Sequence, residues 1–101
     1  CQDYLGAYRG NIMATIKKEL VVKNKQGLHA RPAALFVQIA NKFDSRITVR
    51  RDDEEVNGKS IMGILMLGAE KGSSIIIEAD GEDANLAMAE LERIIMSEEE
   101  L

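Results

Sequence analysis

The apolar residues of this chain change period repeatedly between Thr15 and Met96, from about two to about 3.6, and that alternation leaves few architectures open. Thr15 to Val22 is rich in β-branched residues and predicts a strand. Asn24 to Gly27 predicts a turn, and Ala30 to Asn41 a helix with Ala33, Phe36, Val37 and Ala40 as its buried stripe. Arg46 to Arg51 alternates polar with apolar, Ile47 and Val49 facing inward. Asp52-Asp53 turns it into a return strand, Glu54 to Asn57, around Val56. Ser60 to Leu67 predicts a short helix closed by Gly68. After a turn at Lys71-Gly72, Ile75-Ile76-Ile77 marks an interior strand from Ser74 to Ala79, and Asp80-Gly81 turns again. Glu82 to Met96 carries the clearest helical pattern, through Ala84, Ala87, Met88, Leu91, Ile94 and Ile95. Glu82 and Asp83 are expected in its first turn, where the helix dipole favours acids.

The order β-α-β-β-α-β-α predicts an α+β fold in which helices cover one face of a single sheet. The half-polar pattern of Arg46 to Arg51 leaves the other face to solvent. With 101 residues and no Trp, the chain supports one domain with a thin aliphatic core. Gly6, Gly10 and Asn11 break any pattern at the start, so residues 1–12 are expected to be an N-terminal extension, native or not. The domain proper is expected over 13–101, with Met13 a plausible natural start.

Composition excludes several classes. No apolar run approaches the roughly 20 residues of a membrane span, and no secretory signal is evident. The single cysteine, Cys1, rules out an internal disulfide or a cysteine-based zinc site and fits a reducing, cytoplasmic setting. A net charge of -4 argues against nucleic acid as the main partner. Lys17, Lys18, Lys23, Lys25 and Arg31 nevertheless gather around His29 in sequence, a basic region suited to phosphate or an acidic partner. The acidic end, Glu98-Glu99-Glu100, reads as a solubilising face.

The string Gly27-Leu28-His29-Ala30-Arg31-Pro32-Ala33 holds the only histidine and the only proline. Histidine is the side chain whose ordinary titration falls near neutrality, so an imidazole at pH 7 is substantially unprotonated and nucleophilic. Attack on a phosphoryl donor gives a labile phosphoramidate that can be passed on. The resulting anion needs donors, and a helix N-terminus supplies backbone N–H groups and the positive end of the dipole. Arg31 adds a planar charged donor. Pro32 suits the first helical turn, where its missing N–H costs little, and Gly27 permits a tight approach. Either Arg31 or His29 can be the helix cap on these rules. A histidine in such a place can also be merely a polar cap.

The second string, Asn57-Gly58-Lys59-Ser60-Ile61-Met62-Gly63, fails as a nucleotide loop because Asp53 stands where its first glycine belongs. Ser60 is a good helix N-cap. The helix that follows is apolar nearly all round, from Ile61 to Leu67. One short helix can hardly bury every face, so part of it should form an exposed patch fit for partners.

Together the two strings resemble the HPr family, the histidine-containing phosphocarriers of the bacterial phosphotransferase system. The resemblance extends over nearly all of Thr15 to Met96. It implies an open-faced β-sandwich, βαββαβα, with four antiparallel strands and three helices on one face. It implies that His29 takes a phosphoryl group, on Nδ1, from phospho-Enzyme I and ultimately from phosphoenolpyruvate. The group would pass to the A domain of a sugar permease or to a homologue of the nitrogen-related branch, which Ser60 to Ala69 also resembles. Arg31 would steady the phosphoryl group. Ser60 matches the serine modified in some bacteria by an HPr kinase/phosphorylase; its phosphate would lie at the helix start and could weaken docking. Ile61, Met62 and Leu65 look like the docking set, with Ile64 and Leu67 in the core. The resemblance implies no cofactor or metal and a monomer. Catabolite-repression homologues lacking the active histidine are disfavoured because His29 is present. An interaction module acting through 61–67 without phosphotransfer is the rival; a hydrolase or metal enzyme is remote, with one His and no acid–base pair near it in sequence.

Overall fold

The computed structural model describes residues 14–23, 25 and 27–97. The proposed extension 1–12, Met13, Asn24 and Gln26 of the first turn, and the run Glu98-Glu99-Glu100 lie outside the described residues. The elements are β1 (Ala14–Val21), α1 (Ala30–Ala40), β2 (Arg46–Arg51), β3 (Glu54–Asn57), α2 (Ile61–Leu67), β4 (Ser74–Gly81) and α3 (Ala84–Met96). The four strands form one antiparallel sheet in the order β1-β4-β2-β3. The Ile75-Ile76-Ile77 run therefore sits inside the sheet: β4 is paired on both edges, to β1 and to β2.

Strand alternation separates two faces. Leu20, Ile47, Val49, Ile75, Ile77 and Ala79 point inward and are buried. The helices close over them, α3 against β1 and β4, α2 against β2 and β3, and α1 against both other helices. Phe36, Ile64, Leu67, Leu91 and Ile95 complete the core. Burying a side chain of this size contributes about 1.5–3 kcal/mol, so these positions dominate the stability of so small a domain. Lys18 lies on the helix side, where its Nζ meets Glu92 of α3 at 2.8 Å. On the opposite face Thr15 donates to Asp80 at 3.0 Å, and that face is open to solvent.

Several expected boundaries shift, each for a tertiary reason. β4 does not turn at Asp80-Gly81: Asp80 pairs with Thr15 and Arg46, and Gly81 with Ala14, so the strand runs on. A Cβ at Gly81 would come within 2.8 Å of the Ser45 Cα, which explains the glycine there. α3 starts at Ala84, so Glu82 and Asp83 do not sit in its first turn. The Asp83 carboxylate turns instead to the α1–β2 loop, accepting from the Asp44 and Ser45 N–H groups at 2.9 and 3.0 Å and from the Ser45 hydroxyl. Those donors hold its carboxyl below the ordinary carboxylate range, the Ser45 hydroxyl contributing most. α1 ends at Ala40 with Asn41 as its cap; Val37 is only half-buried, and Pro32 joins the buried stripe.

Candidate functional site: the mouth of α1 and the outer face of α2

Of the two possible caps, the structure selects His29. Its backbone is extended (φ -96°, ψ -162°), and its carbonyl accepts the first helical bond, from Ala33 N–H at 2.7 Å. Pro32 then falls at the third helical position, where an N–H would have no carbonyl behind it. The His29 side chain makes no capping bond and is exposed. Its neighbour does the anchoring: Leu28 is buried and its N–H donates to the Ala69 carbonyl at 2.7 Å. Gly27, at φ 65°, makes that seat possible, since a Cβ there would stand 2.7 Å from the Ala69 oxygen and 2.8 Å from the Glu70 Cα. The loop is thus fixed by Gly27 and Leu28 so that the next residue faces solvent at the helix start. Arg31, two residues on, is exposed on the first turn.

The basic residues near His29 in sequence do not stay together. Lys18 goes to Glu92 on the helix side, and Lys17 joins the open sheet face beside Thr48 and Glu78. Lys23 and Lys25 remain at the histidine end and meet Lys71, which sequence spacing did not bring forward. These three line a recess of about 410 Å³ with Val21, Val22 and Gly72. The loops carrying them are joined by Val22 N–H to Ser73 O at 2.9 Å and Gly72 N–H to Val22 O at 2.8 Å. A larger recess, about 600 Å³, lies on the open sheet face among Arg46, Thr48, Glu55, Asn57, Glu78 and Asp80. Among the described residues no cluster of three or more His, Cys, Asp or Glu could hold a metal ion.

Ser60 caps α2: its Oγ accepts from Gly63 N–H at 3.1 Å. The approach is set by an Asx turn, Asn57 Oδ1 accepting from Lys59 N–H at 2.8 Å. The Lys59 ammonium donates to the Phe43 carbonyl at 2.7 Å, and Asn41 Nδ2 bridges the Val37 and Lys59 carbonyls at 2.9 and 3.2 Å. At the far end Gly68 takes the left-handed cap, and Arg51 Nη1 donates to the Leu67 carbonyl at 2.9 Å. Arg51 was not singled out from sequence, because its partner lies across the β3 hairpin.

These links run α1 and α2 antiparallel, Ser60 beside the end of α1 and Ala69 beside its beginning. Eleven helical residues span about 16 Å, so Ser60 and His29 lie at opposite ends of a helix pair. Between them α2 shows Ile61, Met62, Leu65 and Met66 to solvent, at 38%, 65%, 40% and 73% exposure, while Ile64 and Leu67 are buried. The expected outward and inward sets are the ones observed, with Met66 added to the outward one.

Fold and site together define a class: a small open-faced sandwich that presents one imidazole at a helix mouth beside an apolar surface. Residues 16–97 match the family described as the PTS HPr component phosphorylation site. The chain is 47% identical over 83 residues to the HPr-like protein Crh of Halalkalibacterium halodurans, covering 82% of this chain and 99% of that one. It is 46% identical over 80 residues to the phosphocarrier protein HPr of Neisseria meningitidis, covering 79% and 90%. A solved HPr from Bacillus anthracis superposes with a TM-score of 0.79 at 46% identity, covering 81% of this chain and 98% of that one. One from Thermoanaerobacter tengcongensis gives 0.80 at 49%, covering 85% and 99%. This chain belongs to the HPr family.

Proposed function

We propose that the chain is a phosphocarrier whose domain, 13–101, is charged at His29 by phospho-Enzyme I and discharged to a permease A domain or a nitrogen-branch homologue. The observation that carries this reading is the exposed, uncapped imidazole of His29, set at the mouth of α1 by Gly27 and Leu28 in a member of the HPr family. A carrier must offer its nucleophile to two partners in turn, which an exposed residue does and a buried pocket does not. In the charging step a ring-nitrogen lone pair, by the family's pattern that of Nδ1, forms the N–P bond. The bond from phosphorus to the donor imidazole breaks, and its electron pair returns to the donor. Arg31 and the first-turn amides of α1 face the added charge and stabilise it.

Ile61, Met62 and Leu65 form the docking surface in this reading, and a phosphate on Ser60, added by an HPr kinase/phosphorylase, regulates it. Ser60 lies too far along α2 to touch the His29 phosphoryl group, so its effect falls on the partner rather than on the chemistry. The carrier acts as a cytoplasmic monomer; among the described residues no helix is long and apolar enough to cross a membrane. Residues 1–12 are an extension to this domain.

The test is phosphotransfer from labelled phosphoenolpyruvate through a cognate Enzyme I, comparing wild type with His29→Ala. The expected product is acid-labile and base-stable, on wild type alone. No label on wild type would sink the carrier reading and leave the exposed face of α2 as an interaction surface. That rival has its motive in the apolar patch itself, and it predicts that His29→Ala binds partners normally.

A further inference from the structure

Methionine is spread unevenly between surface and core in this domain. Met62 and Met66 are 65% and 73% exposed, Met96 is 36% exposed, and Met88 is buried at 2%. Met62 and Met66 are four residues apart on α2, so their side chains are neighbours on one face. Between Ile61 and Leu67 the helix carries no charged or hydrogen-bonding side chain, which makes that face uniformly apolar. A thioether fits such a surface because it is polarizable and unbranched, and a sulfoxide does not, because it is strongly polar.

We propose that Met62 and Met66 form a peroxide-sensitive modification site whose conversion to sulfoxides weakens docking of the phosphoryl-transfer partners on α2. This rests on the reading of α2 as the docking face. In the step a thioether sulfur attacks hydrogen peroxide, an S–O bond forms, the O–O bond breaks, and the departing oxygen leaves as water. The sulfur is oxidised by two electrons and the peroxide reduced by two, so no other reactant is required. The fold tolerates the change, because α2 is held from beneath by Ile64 and Leu67 and at its ends by the Ser60 cap and Arg51, none of which involves the two sulfurs. The modification is chemically reversible by methionine sulfoxide reductases.

The full chain, treated with hydrogen peroxide and then with a thiol reductant to restore Cys1, is mapped by peptide mass and assayed for charging by phospho-Enzyme I. Oxygen is expected on Met62 and Met66 well before Met96 and Met88. The kcat/KM for charging is expected to fall about fivefold, the order of losing one well-placed interface side chain, and to recover with methionine sulfoxide reductase. Met62→Leu/Met66→Leu and the single Met66→Leu are each compared with their own untreated samples, so a changed starting rate does not enter; the double variant should lose little on treatment. Three results overturn the proposal: no preference for Met62 and Met66, full oxidation of both without a change in rate, or an equal loss in the double variant. Ile61→Glu, untreated, tells which reading has failed. If it charges normally, the docking face itself is wrong; if it is impaired while the sulfoxides have no effect, only the oxidation site falls.

Discussion

The N-termini of α1 and α2 are built from opposite choices. α2 begins on Ser60, which bends its hydroxyl back to Gly63 N–H at 3.1 Å and so satisfies its own helix. α1 begins on His29, which leaves its helix without a side-chain cap and points its ring to solvent. Serine is among the best caps and histidine is not, so the chain gives up roughly 1 kcal/mol at α1 by not using serine, threonine, asparagine or aspartate there. A cap at α1 would occupy the amides that a phosphoryl group needs. On the proposed function the capped end serves the fold and the uncapped end serves the chemistry, a local departure from stability of the kind expected at a working site.

The sharpest way to break this contrast is to give α1 a cap. His29→Asn should abolish charging, a loss of at least ~1,000-fold given that the nucleophile is gone. It should also raise the unfolding free energy by about 1 kcal/mol in urea titration. A variant that lost stability would show that His29 contributes to the fold in a way its exposed, unbonded side chain does not reveal.

The next effect falls on the seat beneath the histidine. Gly27→Ala puts a Cβ within 2.8 Å of two backbone atoms at a left-handed φ of 65°, and backbone cannot step aside as a flexible side chain can. Thermal unfolding should show a loss of about 1–3 kcal/mol, and charging should slow because His29 moves with the loop. Unchanged stability would mean that the Leu28–Ala69 bond adapts and that the loop is not held as described.

At the capped end the effects are smaller and separable. Ser60→Ala should cost about 1 kcal/mol of stability while charging at His29 stays near wild type. Ser60→Asp keeps a capping oxygen, so it should restore stability, yet it places charge beside the proposed docking face and should raise the KM for phospho-Enzyme I with little change in kcat. Equal KM values for the two variants would remove Ser60 from the regulatory reading.

What the sequence showed and what it hid follow from the range of the interactions involved. The inward stripe of α3 and the Ile75-Ile76-Ile77 run were legible because burial repeats at a fixed local period. That α2 must leave part of itself exposed was legible for a different reason: the six large apolar side chains between Ile61 and Leu67 cannot all be covered in a thin domain, and which of them face outward came from the resemblance to the family. The cap of α1 was ambiguous between His29 and Arg31 because the local rules allow either, and the Leu28–Ala69 bond that seats the chain just before His29 spans distant parts of the chain. The basic group around the histidine was half right. Alternation along β1 sends Lys17 and Lys18 to opposite faces, and Lys71 arrives only because β4 lies beside β1. The start of α3 was hidden because Asp83 spends its carboxylate on Asp44 and Ser45 rather than on its own helix.

That carboxylate offers a third kind of helix start, neither self-capped nor left open but bonded across the fold, and its signature is a pH dependence. The donors from Ser45 and Asp44 stabilise the charged form, so the folded-state pKa lies below the ordinary value of 3.8. A group lowered in this way contributes stability that is fully present above its unfolded pKa. The contribution fades as pH falls below about 3.8 and through the folded value, because the unfolded chain then takes up the proton first. Urea midpoints measured from pH 7 down to pH 2 should therefore decline through this window. In Asp83→Asn the decline should be shallower and the midpoint at pH 7 lower. Identical slopes in the two proteins would show that the bonds from Ser45 and Asp44 do not bias the carboxylate. The α1–β2 loop would then owe its placement to packing of Ser45 against Gly81 at the end of β4 instead.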